Sequence, residues 1–255
     1  MQTFRLWEKI LRHPMRSTFS ILLFLIPFNF ACQEGIIEPK SSSASLRIMP
    51  IGDSRVEGLH PEFESYRYEL WKKLTADEWD FDFLGTRVDE GAYPAFQGKN
   101  FDKEHEGIGG ATTLSVLEQA QGLSDILNPN LILLGVGGND FEDEERTAED
   151  MIQAIEEIIT ALRRKFDNPD FIIEQIAPGR SDFMANLNQE RFDRFNSLLP
   201  GLQSSLNRSE SMIWLVDNSK GWTDDLFADE VHYNQAGAKL VADRYYAEIV
   251  EHVNR

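Results

Sequence analysis

A three-layer α/β fold is predicted from residue 46 onward: a flavodoxin-like five-stranded parallel sheet with helices on both faces. Three observations predict it. Short apolar runs alternate with longer segments of helical spacing, and such alternation implies parallel strands joined by crossover helices. The run Leu131-Ile-Leu-Leu134 is apolar throughout, as a strand covered on both faces is. Hydrophobic residues make up 42% and aromatic residues 11% of the 255, which is ample for a packed core in one domain.

The elements follow in order. Residues 46–51 (LRIMPI) are short, apolar and partly β-branched, and stop at Gly52, which gives the first strand. Residues 64–74 place Tyr66, Leu70 and Leu74 at helical spacing. Residues 81–84 before Gly85 form a second strand, 112–121 a helix, and 130–134 before Gly135 a buried third strand. Residues 147–166 form a long amphipathic helix with Ala148 and Glu149 in its first turn, and 171–176 the fourth strand. Residues 190–206 are helical with a break at Pro200-Gly201; 213–216 form the last strand and 236–253 the closing helix. There is no internal repeat. In sheets of this kind the ligand sits outside the carboxyl ends of the strands, so the chemistry belongs in the loops there.

Charge separates the beginning of the chain from the rest. Lys and Arg number 25 against 43 Asp and Glu, a net charge of −18, which argues against nucleic acid as a partner. Residues 1–31 run the other way, with Arg5, Lys9, Arg12 and Arg16 against Glu8. Residues 17–31 are uncharged and mostly apolar, too short to span a bilayer and matched to a signal-peptide apolar region. Met15 stands directly before that run and is a second candidate initiator. The sole cysteine, Cys32, follows it, so no internal disulfide or multi-thiolate metal site is possible. The junction Ala31-Cys32 resembles a bacterial lipobox, which implies a lipid anchor on Cys32; an ordinary secretory signal is the other reading. Residues 32–45 then form a Ser-rich tether ahead of a domain over 46–255. The expected location is extracytoplasmic: a cell-envelope lipoprotein, facing the periplasm or the surface, that meets the membrane only through its anchor.

Four motifs fall at strand ends or ahead of helices. Gly52-Asp53-Ser54 closes the first strand, where a serine entering a turn exposes its hydroxyl; alone it is a plain turn. Asp229-x-x-His232 follows the last strand. A hydroxyl nucleophile needs a base for its proton and a carboxylate to fix the imidazole tautomer, and one loop supplies both. Gly137-Gly138-Asn139-Asp140 ends the third strand and sets a side-chain amide beside the same crevice. His105 to Gly110 (HEGIGG) is a flexible loop whose amides face a helix start, a place that suits an anion.

Together these blocks resemble the SGNH (GDSL-type) hydrolase family over about residues 46–250. The resemblance implies Ser54 as nucleophile, His232 as general base and then acid, and Asp229 as the group that orients His232. It implies an oxyanion hole from the backbone N–H of Ser54, the backbone N–H of Gly110 and the side-chain amide of Asn139. The reaction is then acyl transfer to Ser54 and hydrolysis by water, with neither metal nor organic cofactor.

Tyr66-Arg67, Asp82-Phe-Leu-Gly85-Thr86 and His105-Glu-Gly107 are similar to the acetylxylan-esterase-like carbohydrate esterases. That resemblance implies an acetylated oligo- or polysaccharide as partner. Ala111 and Tyr233 depart from it, standing where that branch has Trp and Pro. Arg55 is also atypical beside a nucleophile; it meets a substrate anion or pairs with Glu57, the second being favoured. Trp222 either offers a flat face to a sugar or packs under its loop. Residues 140–150 (DFEDEERTAED) lack the Gly and spacing of a calcium loop and read as a solvated helix start. His13, His60 and His252 show no metal-ligand spacing. Two other functions stay open: a lysophospholipase or longer-chain acyl esterase, which requires an apolar groove, and a non-catalytic glycan-binding lipoprotein.

Overall fold

The computed structural model describes residues 35–187 and 189–253. The expected signal segment, Met15, Cys32 and the start of the tether lie outside them. Among the described residues the strands are β1 (Gly35–Ile36), β2 (Leu46–Gly52), β3 (Phe81–Phe83), β4 (Arg87–Val88), β5 (Glu104–Gly107), β6 (Leu131–Gly135), β7 (Asp170–Gln175) and β8 (Ile213–Asp217). The helices are α1 (Ser54–Glu57), α2 (Arg67–Ala76), α3 (Thr113–Gly122), α4 (Ala148–Lys165), α5 (Ser181–Met184), α6 (Gln189–Leu206) and α7 (Gln235–His252).

All five expected strands are present and parallel, with β3 and β6 on either side of β2 and then β7 and β8 beyond β6. The sheet is larger than expected. β5 pairs parallel with the C-terminal end of β2, β4 pairs antiparallel with β5, and β1 antiparallel with β4, so eight strands are joined. Gly35–Ile36 thus lies on the sheet edge, inside the stretch expected to be a free tether. Residues 104–107 are likewise a strand rather than part of a flexible loop; only 108–110 turn.

Side chains alternate along each buried strand, so each supplies two cores. Met49, Ile51, Ile132 and Leu134 join the cluster under α3, α4 and α6, whereas Leu46, Ile48, Leu131 and Leu133 join the one under α2 and α7. The three layers follow from that alternation. α4 shows how a helix is delimited: Thr147 and Asp150 form a reciprocal capping box. Met151, Ile155, Ile158, Ile159 and Leu162 then bury one stripe.

α6 runs unbroken through Pro200, contrary to the expected break. Proline there leaves the Asn196 carbonyl without its helical donor, and the Gln175 side-chain amide donates to it at 3.0 Å. No helix among the described residues is long and apolar enough to cross a membrane.

Candidate active site

β2 ends where its backbone presses against β6. A Cβ on Gly52 would stand 1.9 Å from the Gly135 carbonyl oxygen, so only glycine fits. The chain then turns into α1, with Asp53 as N-cap accepting from the Arg55 amide at 3.0 Å. Ser54 is the first residue of α1, and its N–H belongs to the set that a helix leaves without an internal acceptor.

The loop after β8 brings a base to that hydroxyl. Asp229 Oδ1 accepts from the backbone N–H of Val231 at 2.9 Å and of His232 at 2.8 Å. Its Oδ2 lies 2.7 Å from His232 Nδ1, and His232 Nε2 lies 2.8 Å from Ser54 Oγ. A carboxylate only accepts, so the proton is assigned to Nδ1 and the free lone pair on Nε2 faces the serine hydroxyl. Burial pushes the Asp229 carboxyl up, but the two backbone donors and the imidazole outweigh it and hold the carboxyl below its ordinary range. Phe63 stacks on the imidazole with ring centroids 3.9 Å apart. Its position is fixed because the Glu64 N–H donates to the Tyr233 carbonyl at 2.8 Å.

The two further loops are tied to each other. Gly110, at φ +74°, completes the exposed turn that starts at Ile108. Asn139 opens a short 3-10 turn after β6, and its side-chain amide donates to the Ala111 carbonyl at 2.9 Å. Asp140 is fully buried and accepts from the Thr113 amide at 2.8 Å, the Thr113 hydroxyl at 2.6 Å and Arg146 at 2.7 Å. Within the acidic run, Asp140 serves this bracket and Asp150 the capping box of α4, while residues 142–145 are exposed. Ser54, His232 and Asp229 form one hydrogen-bonded chain, and Gly110 and Asn139 form one bracketed unit.

The GDSL-like lipase/acylhydrolase family model matches residues 51–240, which include all five of these residues. The chain belongs to that family. It is a carboxylic ester hydrolase. A carbohydrate esterase family 3 from Talaromyces cellulolyticus superposes with a TM-score of 0.69 at 23% identity, covering 81% of this chain and 97% of that one. A family 3 carbohydrate esterase of Clostridium thermocellum gives 0.61 at 23% identity over 81% and 96%. An acetyl xylan esterase gives 0.58 at 17% identity over 80% and 100%. These likenesses establish the shared fold. Among curated proteins no match is found.

One expected role in this GDSL-type hydrolase is corrected, and one of the two readings of Trp222 is favoured. Arg55 does not pair with Glu57. Its guanidinium donates to the carbonyls of Val231 at 3.0 Å, Ala177 at 2.6 Å and Pro178 at 2.8 Å, and lies over the Tyr233 ring. Glu57 instead accepts from the Gly109 N–H, steadying the Gly110 turn; burial raises its carboxyl, and Arg87 pulls the other way. Trp222 stacks on Phe227 and Tyr233 and donates to the Asn218 carbonyl at 2.6 Å, so it packs under the loop. Phe63 escaped sequence reasoning altogether; Arg55 stood out as an unusual cation and Asp140 lay in the third motif, but neither was given the role it holds.

Behind the site, buried Glu174 accepts from the hydroxyls of Tyr233 at 3.4 Å and Tyr245 at 3.3 Å. Burial pushes its carboxyl up to about 7, against the pull of Arg55. Its pKa is higher folded than unfolded, so its stabilising contribution is full below the unfolded value. That contribution is lost as pH rises through about 7. In Glu174→Gln, the stability lost between pH 5 and pH 8 should shrink by about 2 kcal/mol, read from urea unfolding at the two pH values. An unchanged difference would remove this role.

Proposed function

We propose that Ser54, His232 and Asp229 act as a catalytic triad that hydrolyses short acyl esters, acetyl among them, carried on carbohydrate. The observation that carries this is the unbroken chain of 2.8 and 2.7 Å contacts from the serine oxygen through the imidazole to the carboxylate. Ser54 attacks the acyl carbonyl and its proton passes to His232 Nε2, while Asp229 stabilises the imidazolium. The backbone N–H groups of Ser54 and Gly110 and the Asn139 amide receive the oxyanion, each donor worth roughly 3 kcal/mol of barrier. The imidazolium returns its proton to the leaving sugar oxygen. Water, deprotonated by the same imidazole, then releases the acid from Ser54.

Support for carbohydrate comes from two sides: the sequence blocks shared with acetylxylan-esterase-like proteins, and a net charge of −18 that repels polyanions but not neutral glycans. Location outside the cytoplasm with a lipid on Cys32 belongs to the same proposal. It rests on the apolar run before the sole cysteine, and the mass of the mature N-terminal peptide checks it.

A fluorophosphonate probe should label Ser54 alone, and purified protein should release acetate from acetylated oligo- or polysaccharide. A folded protein left unlabelled at Ser54 would overturn the triad, and one labelled there but silent toward every such ester would overturn the carbohydrate reading.

A further inference from the structure

Phe63 is a large apolar side chain that neither core uses. It lies half-buried between α1 and α2 and is not among the side chains packed in or against either buried cluster. Its ring instead covers the imidazole of His232, with centroids 3.9 Å apart and planes 15° from parallel. Main-chain bonds set its place. The Leu59 N–H donates to the Phe63 carbonyl and the Phe63 N–H to the Leu59 carbonyl, both at 3.1 Å, and the Glu64 N–H donates to the Tyr233 carbonyl at 2.8 Å. The loop thus delivers the ring without depending on the ring for its own course. We propose that Phe63 is a positioning residue for the second half of the reaction, holding His232 in line while the acyl group sits on Ser54. The inference deepens the preceding reading and rests on Ser54 as nucleophile and His232 as base.

Before reaction the imidazole has three attachments: its own Cβ, Asp229 at Nδ1 and Ser54 at Nε2, the last two at 2.7 and 2.8 Å. Acylation removes one of them. The serine oxygen bonds the acyl carbon, its proton passes to Nε2 and on to the departing alcohol oxygen, and the ester oxygen left behind has no proton to donate. Asp229 then holds the ring alone. Its grip is at Nδ1, bonded to the pivot atom Cγ, whereas Nε2 lies across the ring and swings furthest. The face contact with Phe63 opposes that swing. It also sets an aromatic face against the positive charge that the imidazole carries during each transfer.

The remaining step needs Nε2 in place. Water gives a proton to Nε2 as its oxygen bonds the acyl carbon; the carbon–Oγ bond then breaks, and Nε2 returns the proton to Oγ. A displacement of about 1 Å at such a centre costs about 100-fold in rate. Loss of the ring should therefore slow deacylation and spare acylation, in which the serine hydroxyl itself holds the imidazole.

The test uses p-nitrophenyl acetate and the purified protein. p-Nitrophenolate leaves readily, so kcat reports deacylation, while kcat/KM reports acylation. Phe63→Leu and Phe63→Met keep apolar bulk without a ring. In each, kcat should fall at least about tenfold while kcat/KM stays within about threefold, so that KM falls in step with kcat. Acetylated Ser54 should accumulate in acid-quenched turnover mixtures, read by peptide mass. Phe63→Tyr restores the stack and should bring kcat back to within about threefold of the parent. Both parameters unchanged, or both falling together, in whichever ring-less variant folds would overturn this role and leave the triad standing. A Phe63→Tyr protein as slow as Phe63→Leu would do the same. Hydrolysis by Ser54→Ala at the parent rate would overturn the triad and this proposal with it.

Discussion

Alanine in place of Ser54 is expected to lower kcat for ester hydrolysis on the order of 10⁵-fold, because removal of one member disables a triad that works as a unit. The substitution deletes one half-buried oxygen whose contact is the His232 ring. Stability should therefore stay within about 0.5 kcal/mol of the parent. Steady-state rates and a urea melt on the same preparation check both halves. A loss below about 100-fold would mean that another group attacks the ester.

The second large effect lies under α1 rather than on it. Arg67 is fully buried and reaches four acceptors: the carbonyls of Val56 at 2.7 Å, Glu57 at 2.6 Å and Lys103 at 3.2 Å, and the carboxylate of buried Asp89 at 3.0 Å. Arg67→Met leaves Asp89 charged without its cation and strips donors from the last turn of α1. Unfolding free energy should drop by about 3–5 kcal/mol and Tm by on the order of 10 °C. Arg67→Lys should recover only part, since an ammonium cannot span a fork of acceptors. A loss under about 1 kcal/mol would show that α1 is held by other contacts.

β2, β6 and β7 were legible because they are buried on both faces and so written largely in apolar residues, Leu131-Ile-Leu-Leu134 being the clearest case, whereas β3 and β8 are half-buried and showed only as short apolar runs. β5 was not legible, because its residues are Glu104, His105, Glu106 and Gly107. Their polarity is satisfied inside: Glu106 accepts from the Thr86 amide at 2.7 Å and from Gln119 at 2.8 Å, partners that no local pattern announces. The break expected at Pro200 failed for the same reason, since the compensating donor comes from β7. In the site, Ser54, Asp229 and His232 could be read because chemistry demands those types and one loop holds two of them. Phe63 and the partners of Asp140 could not. They depend on residues from separate segments whose spacing along the chain carries no period.

Arg55 has a consequence for altering substrate range. One side chain next to the nucleophile clamps the main chain on both flanks, at Val231 beside the base and at Ala177 and Pro178 in the loop after β7. Remodelling by inserting or deleting residues around 176–179 will drag the imidazole out of register and trade turnover for breadth. Exchanges confined to the side chains of α5 leave that clamp alone, and they are where directed evolution should begin.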